Sequence, residues 1–291
     1  MNQLELIAEN IKNKNLDKAL ELCKLNENSN DKSIIYNFLG VIHFMKKNLA
    51  EAEKFFLKVI EIDDKFQDPI RNLCVIYTIS KKFKELLNYS TKLYYLDNKN
   101  PLNIFQIGSA NELNKNYDEA IKYYEKYINT DGSDKKRGFN NIGNIFLRKG
   151  KPKTSVKYFS KALELDNNNK ILINNILLCY LSLRDESKAE EFFKKAETID
   201  SNYTEFLHNK AEFLILKNQL QEAEKILENN KGITKFLITL IRLYFNSGQS
   251  EKGNELLNQS REILKNNSYF YNYLGLRYLY EGKFDEGWKY Y

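Results

Sequence analysis

The sequence predicts an all-α protein, a right-handed α-solenoid built from about eight to nine stacked helix pairs. First, the 291 residues contain only 3 Pro and 12 Gly, so few residues interrupt a helix. Second, apolar residues recur at the i, i+3 and i+4 spacing of a helix face. Third, similar segments return about every 34 residues. Because a lone helix pair cannot bury its apolar face, such units must stack.

The first half of each unit, helix A, carries a small residue at a constant place. The segments YNFLGVIHF, IFQIGSANE, FNNIGNIFL and YNYLGLRYL each contain an aliphatic residue followed by glycine, at Gly40, Gly108, Gly143 and Gly275. Gly40 and Gly108 are 68 residues apart with Cys74 at the midpoint, and Gly108 and Gly143 are 35 apart. We expect the small residue to let helix A approach its partner helix closely.

The second half of each unit, helix B, has a matching pattern. Segments such as NLAEAEKFFLKVIEID and NYDEAIKYYEKYINTD place a small residue four positions before an aromatic one and end in Asp. The small residues are Ala52, Ala120, Ser155 and Ala189, and the aromatic residues are Phe56, Tyr124, Phe159 and Phe193. The closing aspartates are Asp63, Asp97, Asp131, Asp166 and Asp200, and we expect them to form caps or Asx-turns.

Together these motifs resemble the tetratricopeptide repeat family across essentially the whole chain. The register gives units near 33–66, 67–100, 101–135, 136–169, 170–203, 204–233, 234–267 and a truncated 268–291, after a degenerate unit at 1–32. The short unit from 204 predicts a tightened or kinked junction near ENNKGITK. Leu177 and Ile241 occupy the small-residue position, which predicts wider helix packing in their units.

The resemblance implies that helix A lines an inner groove, and asparagine recurs at the positions that face it. The candidate peptide-binding residues are Asn37, Arg71, Asn72, Gln106, Asn140, Asn141, Asn144, Asn174, Asn175, Asn209, Arg242 and Asn272. An asparagine amide offers both an acceptor and donors, so a ladder of them would hold an extended polypeptide by its backbone. The ladder resembles the one in the repeats of O-linked N-acetylglucosamine transferases. Asparagine is also abundant in loops such as DNNN, so composition is the competing explanation.

Aromatic residues are also expected on this inner side, either buried against the adjacent helix or lining ligand pockets. They are Phe38, Phe44, Phe105, Phe245, Tyr269, Tyr273 and Tyr280. The arginines Arg71, Arg137, Arg148 and Arg242 are expected either to meet acidic groups of a bound peptide or to be solvated.

No catalytic motif is present in the sequence. It contains no GxGxxG, phosphate loop, HExxH or nucleophile elbow, so we predict that this chain is not an enzyme and holds no cofactor. His43 and His208 are the only histidines, which excludes a histidine-rich metal site. Cys23, Cys74 and Cys179 lack CxxC spacing and are predicted to be buried reduced thiols.

Charge and hydropathy indicate the class of partner. The net charge of +6 comes from 45 basic and 39 acidic residues, which are mixed along the chain without an evident basic stripe. We therefore predict a protein or peptide partner and no nucleic acid. No apolar run approaches the roughly 20 residues of a membrane span, so the prediction is a cytoplasmic protein without membrane contact.

The C-terminal segment YEGKFDEGWKYY suggests a more specific role. Gly282, Phe284, Gly287, Trp288 and Tyr291 resemble the Gly-x-Phe-x-x-Gly-Trp-x-x-Tyr junction of bacterial tetratricopeptide proteins, which often leads into a glycosyltransferase domain. The first hypothesis is therefore a scaffold that binds an extended polypeptide, as the acceptor-recognition arm of a glycosyltransferase in a larger native protein. The alternative is a stand-alone assembly scaffold for a folded partner or helix. Self-association through an uncapped C-terminal end is a third possibility.

Overall fold

The computed structural model describes residues 2–27 and 29–290, apart from the side chain of Tyr269. Within these residues it contains eighteen α-helices and no β-strand, which confirms the predicted all-α class. The predictions that concern Tyr269 and Tyr291 lie outside the described side chains and residues.

The helices fall into two compact units, Met1–Leu165 and Asp166–Tyr291. The first unit contains α1 (Gln3–Lys12), α2 (Leu16–Leu25), α3 (Lys32–Met45), α4 (Leu49–Ile62), α5 (Gln67–Ile79), α6 (Phe83–Leu96), α7 (Pro101–Leu113), α8 (Tyr117–Ile128), α9 (Lys135–Arg148) and α10 (Pro152–Glu164). The second contains α11 (Lys170–Leu183), α12 (Glu186–Asp200), α13 (Thr204–Leu216), α14 (Leu220–Asn229), α15 (Thr234–Asn246), α16 (Ser250–Leu264), α17 (Ser268–Tyr280) and α18 (Phe284–Tyr290). Odd-numbered helices are helices A, and even-numbered ones are helices B.

Short polar side chains mark where helices begin and end. The side chain of Asn100 accepts a hydrogen bond from the backbone N–H of Leu102 at the start of α7, and Pro101 follows it as the first helical residue. At the ends of helices B, the Asp63 and Asp97 side chains accept from the N–H groups of Lys65 and Lys99 at 3.0 and 3.2 Å. These are the Asx-turns that the closing aspartates predict.

The turns from helix A to helix B share a left-handed residue. It is Lys14, Lys47, Lys81 or Lys115 in the first four turns of the first unit, with φ between 56° and 64°, and Gly150 in the fifth. The following residue donates its N–H to a helix A carbonyl five residues earlier, as Asn48 does to His43 at 2.9 Å. A residue other than glycine in this conformation costs roughly 1–2 kcal/mol.

The small residues of helix A lie where aromatic rings of helix B pack. A Cβ atom at Gly40 would lie 2.5 Å from the Phe56 ring, and one at Gly143 would lie 2.6 Å from the Phe159 ring. Both rings are fully buried, and burial of such a side chain contributes about 1.5–3 kcal/mol. The packing therefore requires glycine at these two positions.

Leu177 on α11 and Ile241 on α15, the larger residues at the small-residue position, are both fully buried. The wider helix packing expected in their units stays a prediction. In the short repeat that begins near residue 204, α14 is the shortened helix, with 10 residues before the turn to α15.

Within the first unit, the core continues from one helix pair into the next. One cluster joins Ala52 and Phe56 of α4, Leu73 and Tyr77 of α5 and Leu86 of α6, so helix B of one repeat buries its apolar face against the next repeat.

The three cysteines belong to this core. Cys23, Cys74 and Cys179 are buried and free, as predicted. Burial raises the pKa of Cys23 to about 12 and that of Cys74 to about 11, so both thiols stay protonated and unreactive at neutral pH.

Candidate functional site

Four helices A of the first unit carry seven of the predicted binding residues. We call this set the groove face of the first unit: Asn37 on α3, Arg71 and Asn72 on α5, Gln106 on α7, and Asn140, Asn141 and Asn144 on α9. All seven side chains are half-buried. They are therefore held in place by neighbouring helices and still reach the surface.

Arg71 is anchored by polar groups rather than solvated. Its guanidinium donates to Gln67 Oε1 at 2.6 Å, to Asp68 Oδ1 at 3.2 Å and to Asn103 Oδ1 at 3.3 Å. Asn103 is fully buried, and its amide nitrogen donates to the carbonyls of Leu93 and Asp97, both at 3.1 Å. The Arg71 side chain is therefore fixed on α5 by a contact with the next repeat.

Two buried polar atoms on this face have no hydrogen-bond partner within the described residues. They are Oδ1 of Asn37 and Nε of Arg71. The two residues occupy the same place in neighbouring repeats, 34 residues apart. One atom is an acceptor and the other a donor, the complement of the N–H and C=O of a peptide group. An unsatisfied buried polar atom costs roughly 1–3 kcal/mol of stability.

A polar cluster joins three helices further along the same unit. The hydroxyl of Tyr124 donates to Glu112 Oε2 at 2.8 Å, and Arg148 donates to Glu112 Oε1 at 2.8 Å. The Asn141 side chain lies near the Tyr124 hydroxyl and slightly opposes the rise in its pKa. Burial, followed by the Glu112 carboxylate, raises the pKa of Tyr124, so the phenol stays protonated. Arg148 thus has an internal partner, and Asn141 lies beside the same cluster.

Three groove-face amides remain available for a ligand. In the part of the chain that the structure describes, the side chains of Asn72, Gln106 and Asn144 have no recorded hydrogen bond. They lie on α5, α7 and α9, one on each of three successive helices A. Each amide offers an acceptor and two donors to a chain that crosses these helices.

In the second unit, two predicted ladder residues bind each other. The amide nitrogen of Asn209 donates to Oδ1 of Asn174 at 2.8 Å. Asn174 is buried, whereas Asn175 is half-buried and Asn272 on α17 is exposed. The Asn174–Asn209 bond links α11 to α13, so these two side chains stabilise the stacking of repeats.

The remaining predicted residue, Arg242, belongs to a cluster around Glu212. Arg242 donates to both carboxylate oxygens of Glu212, and the Thr239 hydroxyl donates to Oε1 at 3.1 Å. The ring of His208 lies 3.0 Å from the Thr239 hydroxyl oxygen. Burial lowers the pKa of His208, which favours the neutral ring. These side chains line a cavity of about 380 Å³ that Lys235 also borders.

Exposed apolar side chains form a second feature of the helices A in the first unit. Met45, Ile79 and Leu113, at the same place in three successive helices A, are exposed by 38%, 55% and 37%. We call these three residues the apolar row. They provide apolar surface that the fold does not cover.

The predicted inner aromatic residues are mostly part of the fold. Phe105 and Phe245 are buried, and the guanidinium carbons of Arg137 and Arg277 lie 3.8 Å from the centres of their rings. Tyr280 is 94% exposed. Phe105 and Phe245 are therefore buried, and Arg137 stacks on the Phe105 ring.

Sequence reasoning missed the acidic partners of the groove arginines and the buried Asn103. Glu112 precedes Arg148 by 36 residues, and Glu212 precedes Arg242 by 30, in each case about one repeat. An acid and a base one repeat apart on successive helices A are therefore a usable signal. No sequence signal pointed to Asn103, because it lies outside the groove positions.

Across residues 2–27 and 29–290, no group of three or more His, Cys, Asp and Glu side chains is placed to hold a metal ion. None of the described helices is both long enough and apolar enough to cross a bilayer.

The stacked helix pairs and their groove faces define a helical-repeat scaffold for protein interaction. The tetratricopeptide repeat family matches residues 34–66, 103–134, 137–169 and 172–203. These four segments of the chain are therefore tetratricopeptide repeats.

Individual relatives are distant. Anaphase-promoting complex subunit 3 of Schizosaccharomyces pombe is 26% identical over 126 residues, which cover 43% of this chain and 19% of that protein. The chain spans between 19% and 56% of the length of the curated relatives it matches.

Solved structures share the fold. The C-terminal part of a TPR repeat-containing protein from Cytophaga hutchinsonii matches with a TM-score of 0.65 at 17% identity, over 79% of this chain and 95% of that one. YrrB, a TPR protein with an unusual peptide-binding site, matches with a TM-score of 0.54 at 19% identity, over 64% of this chain and 96% of that one.

Proposed function

We propose that the groove face of the first unit binds an extended polypeptide through its backbone. The observation that carries this proposal is the pair of unsatisfied buried atoms, Asn37 Oδ1 and Arg71 Nε. A peptide group supplies a donor for the first and an acceptor for the second. The amides of Asn72, Gln106 and Asn144 extend the row of hydrogen-bonding groups along the next helices.

The test is binding of fluorescently labelled random peptides of about 15 residues, which reach roughly 50 Å when extended. Replacing Asn72, Gln106 and Asn144 together by Ala removes three bonds of ~0.5–1.5 kcal/mol each, so affinity should fall at least about tenfold. The matched control replaces the exposed residues Asn98, Asn167 and Asn168 by Ala and should leave affinity unchanged. Equal affinity of both triple variants would refute the proposal.

These three positions are a better test than Asn141, Asn174 or Asn209. Asn141 lies near the Tyr124 hydroxyl, and Asn174 and Asn209 have each other as partners. Substitutions there would change the stability of the repeats as well as ligand binding. Asn72, Gln106 and Asn144 separate the two effects.

The second candidate function is a scaffold that binds a helix of a partner protein. The apolar row favours it, because Met45, Ile79 and Leu113 present exposed apolar side chains on successive helices. Ile79→Gln with Leu113→Gln should weaken binding of an amphipathic helical peptide and leave an extended polar peptide unaffected. The Asn72, Gln106 and Asn144 variant should give the opposite result.

Association with a glycosyltransferase domain is a further proposal, and it is supported by the junction motif alone. Trp288 and Phe284 of that motif are exposed by 65% and 62%, and Gly287 is buried beside Leu279. An antibody to this chain would reveal the mass of the native polypeptide. A much heavier species with sugar-transfer activity supports the association, and a species near 34.4 kDa contradicts it.

Self-association is proposed on the same exposed C-terminal residues. Light scattering at several protein concentrations tests it with Phe284→Ser and Trp288→Ser. A mass that rises with concentration in the parent, and stays constant in the variant, supports pairing through this end. A parent that is monomeric at every concentration contradicts it.

A further inference from the structure

The turns from helix A to helix B form a separate feature of the first unit. Because helices A and B alternate in direction and stack in register, all A-to-B turns of the unit lie along one edge, and all B-to-A turns lie along the other. The left-handed residues of the first four A-to-B turns are Lys14, Lys47, Lys81 and Lys115. We call these four residues the lysine edge. They recur every 33 or 34 residues.

The lysine edge has no charge partner of its own. All four side chains are exposed, and within the described part of the unit none has a recorded hydrogen bond or ion pair. Neighbouring turn lysines are paired: Lys46 with Asp17 at 2.5 Å, Lys82 with Glu53 at 2.8 Å, and Lys149 with Asp118 at 2.6 Å. The carboxylates near this edge therefore neutralise other lysines and leave these four charges free to act on a partner.

The backbone at these positions favours glycine, not lysine. Gly150, Gly248 and Gly282 occupy the equivalent turns of three other repeats, and Arg184 and Asn218 those of two more, with φ between 56° and 79°. A lysine in the left-handed region is less favourable than glycine there. Four lysines in succession thus oppose local conformational preference, and stability of the turn does not explain them.

Charge in the first unit is divided between its two edges. The A-to-B turns, residues 12–18, 46–51, 80–85, 114–119 and 148–153, contain 13 basic and 5 acidic residues. The B-to-A turns, residues 26–32, 61–68, 97–100 and 131–137, contain 6 basic and 9 acidic residues.

Residues 1–165 have 28 basic and 21 acidic residues, whereas residues 166–291 have 17 basic and 18 acidic residues. The excess positive charge of the chain is therefore concentrated at this edge. The absence of a basic stripe, inferred from the linear sequence, does not hold once the turns are aligned.

We propose that the lysine edge docks an acidic polypeptide segment, at a surface distinct from the groove face. Carboxylates recurring along an extended or helical segment would meet ammonium groups at successive turns. Such pairing gives orientation and fast association, and salt weakens it.

The composition of the edge favours a polypeptide over a nucleic acid. Arginine, which binds phosphate in bidentate fashion, contributes only Arg148 to these turns, and Arg148 is paired with Glu112. Asp17, Glu53 and Asp118 are interleaved with the lysines and would repel a continuous row of phosphates. The nearby rings of Phe83 and Tyr117 are half-buried, so neither is open for stacking with bases.

The experiment measures binding of a fluorescent glutamate-rich peptide of about 20 residues at 0.15 M salt, where only near contacts escape screening. One variant combines Lys14→Gln, Lys47→Gln, Lys81→Gln and Lys115→Gln. A second variant replaces the same four residues by Gly, which the turn geometry prefers. Because this variant should fold at least as well as the parent, misfolding would not explain a loss of binding. The matched control combines Lys32→Gln, Lys65→Gln, Lys99→Gln and Lys135→Gln, four exposed lysines of the opposite edge with the same change in charge.

The affinity for the glutamate-rich peptide should fall about tenfold or more in both lysine-edge variants. In the control variant it should change by less than about twofold. Equal losses for the two edges would mean that net charge alone attracts the peptide, and would overturn the proposal. The proposal would also be overturned if the parent protein showed no measurable binding of the glutamate-rich peptide. Tighter, edge-dependent binding of a single-stranded oligonucleotide of equal charge would also overturn it, in favour of a nucleic-acid surface. Unchanged binding of random neutral peptides by the lysine-edge variants would show that the groove face is independent.

Discussion

The side-chain amide of Asn209 donates a 2.8 Å hydrogen bond to the side-chain oxygen of Asn174, a residue located one repeat earlier in the chain. Asn174 is only 5% exposed. Asparagines at groove positions therefore have two roles in this protein. Some connect successive repeats, and others, such as Asn72, have a side-chain amide that makes no hydrogen bond within the described residues.

Asn209→Ala should lower the free energy of unfolding by about 1–3 kcal/mol, because the buried Asn174 oxygen loses its donor. Urea unfolding followed by circular dichroism measures the change. Gln106→Ala is the control, since that half-buried amide has no recorded hydrogen bond, and its effect should stay within about 0.5 kcal/mol. Similar losses in both variants would contradict the role assigned to the Asn174–Asn209 bond.

Gly143→Ala should destabilise the protein by about 1–2 kcal/mol, because the new methyl group meets the Phe159 ring at 2.6 Å. The higher helix propensity of alanine offsets part of this overpacking. Thermal unfolding of a double-mutant cycle with Phe159→Leu should show that the two changes are coupled.

Gly232→Ala is the matched control for this substitution. No atom lies within 4 Å of a Cβ built at Gly232, so the variant should be as stable as the parent. A neutral effect of Gly143→Ala would mean that the ring moves aside without cost.

Lys81→Gly should raise the free energy of unfolding by about 0.5–1 kcal/mol. The substitution removes the left-handed strain at φ 56°, and the greater freedom of glycine in the unfolded chain offsets part of the gain. Lys157→Gly, in the middle of α10, should instead cost about 1 kcal/mol. Thermal unfolding measures both variants. A gain in stability for Lys81→Gly and a loss for Lys157→Gly would verify the turn geometry, and stability changes of the same sign would argue against it.

Stability should fall between about pH 7 and pH 5 through His208. Burial lowers the pKa of His208, so the unfolded chain takes up a proton at a higher pH than the folded chain does. Stability from the neutral ring is present above the ordinary histidine pKa of about 6.5 and is lost as pH falls through the lower folded value.

His208→Gln should flatten this part of the melting temperature profile. His43 also has a lowered pKa, caused mainly by burial, so His43→Gln should remove a further part of the slope. An unchanged slope in the double variant would assign the pH dependence to carboxylates instead.

Much of the fold could be predicted from the sequence. The recurrence of Gly40, Gly108 and Gly143 gives the period, and Asp63 and Asp97 give the turns between repeats. These features are readable because they are local: a helix face, a small residue at a helix contact and an Asx-turn each depend on residues close in sequence.

The use of each groove residue was decided only by tertiary structure. The same amide is internal at Asn174 and available at Asn72, because the partner atom belongs to another repeat and the helix spacing decides whether it is reached. Likewise, the lysines of successive turns are scattered along the sequence among acidic residues. Stacking brings Lys14, Lys47, Lys81 and Lys115 onto one edge, because alternating helices direct every A-to-B turn the same way. The sequence by itself determined the repeat and the residues it offers; the packing of one repeat on the next decided which of them a partner can reach.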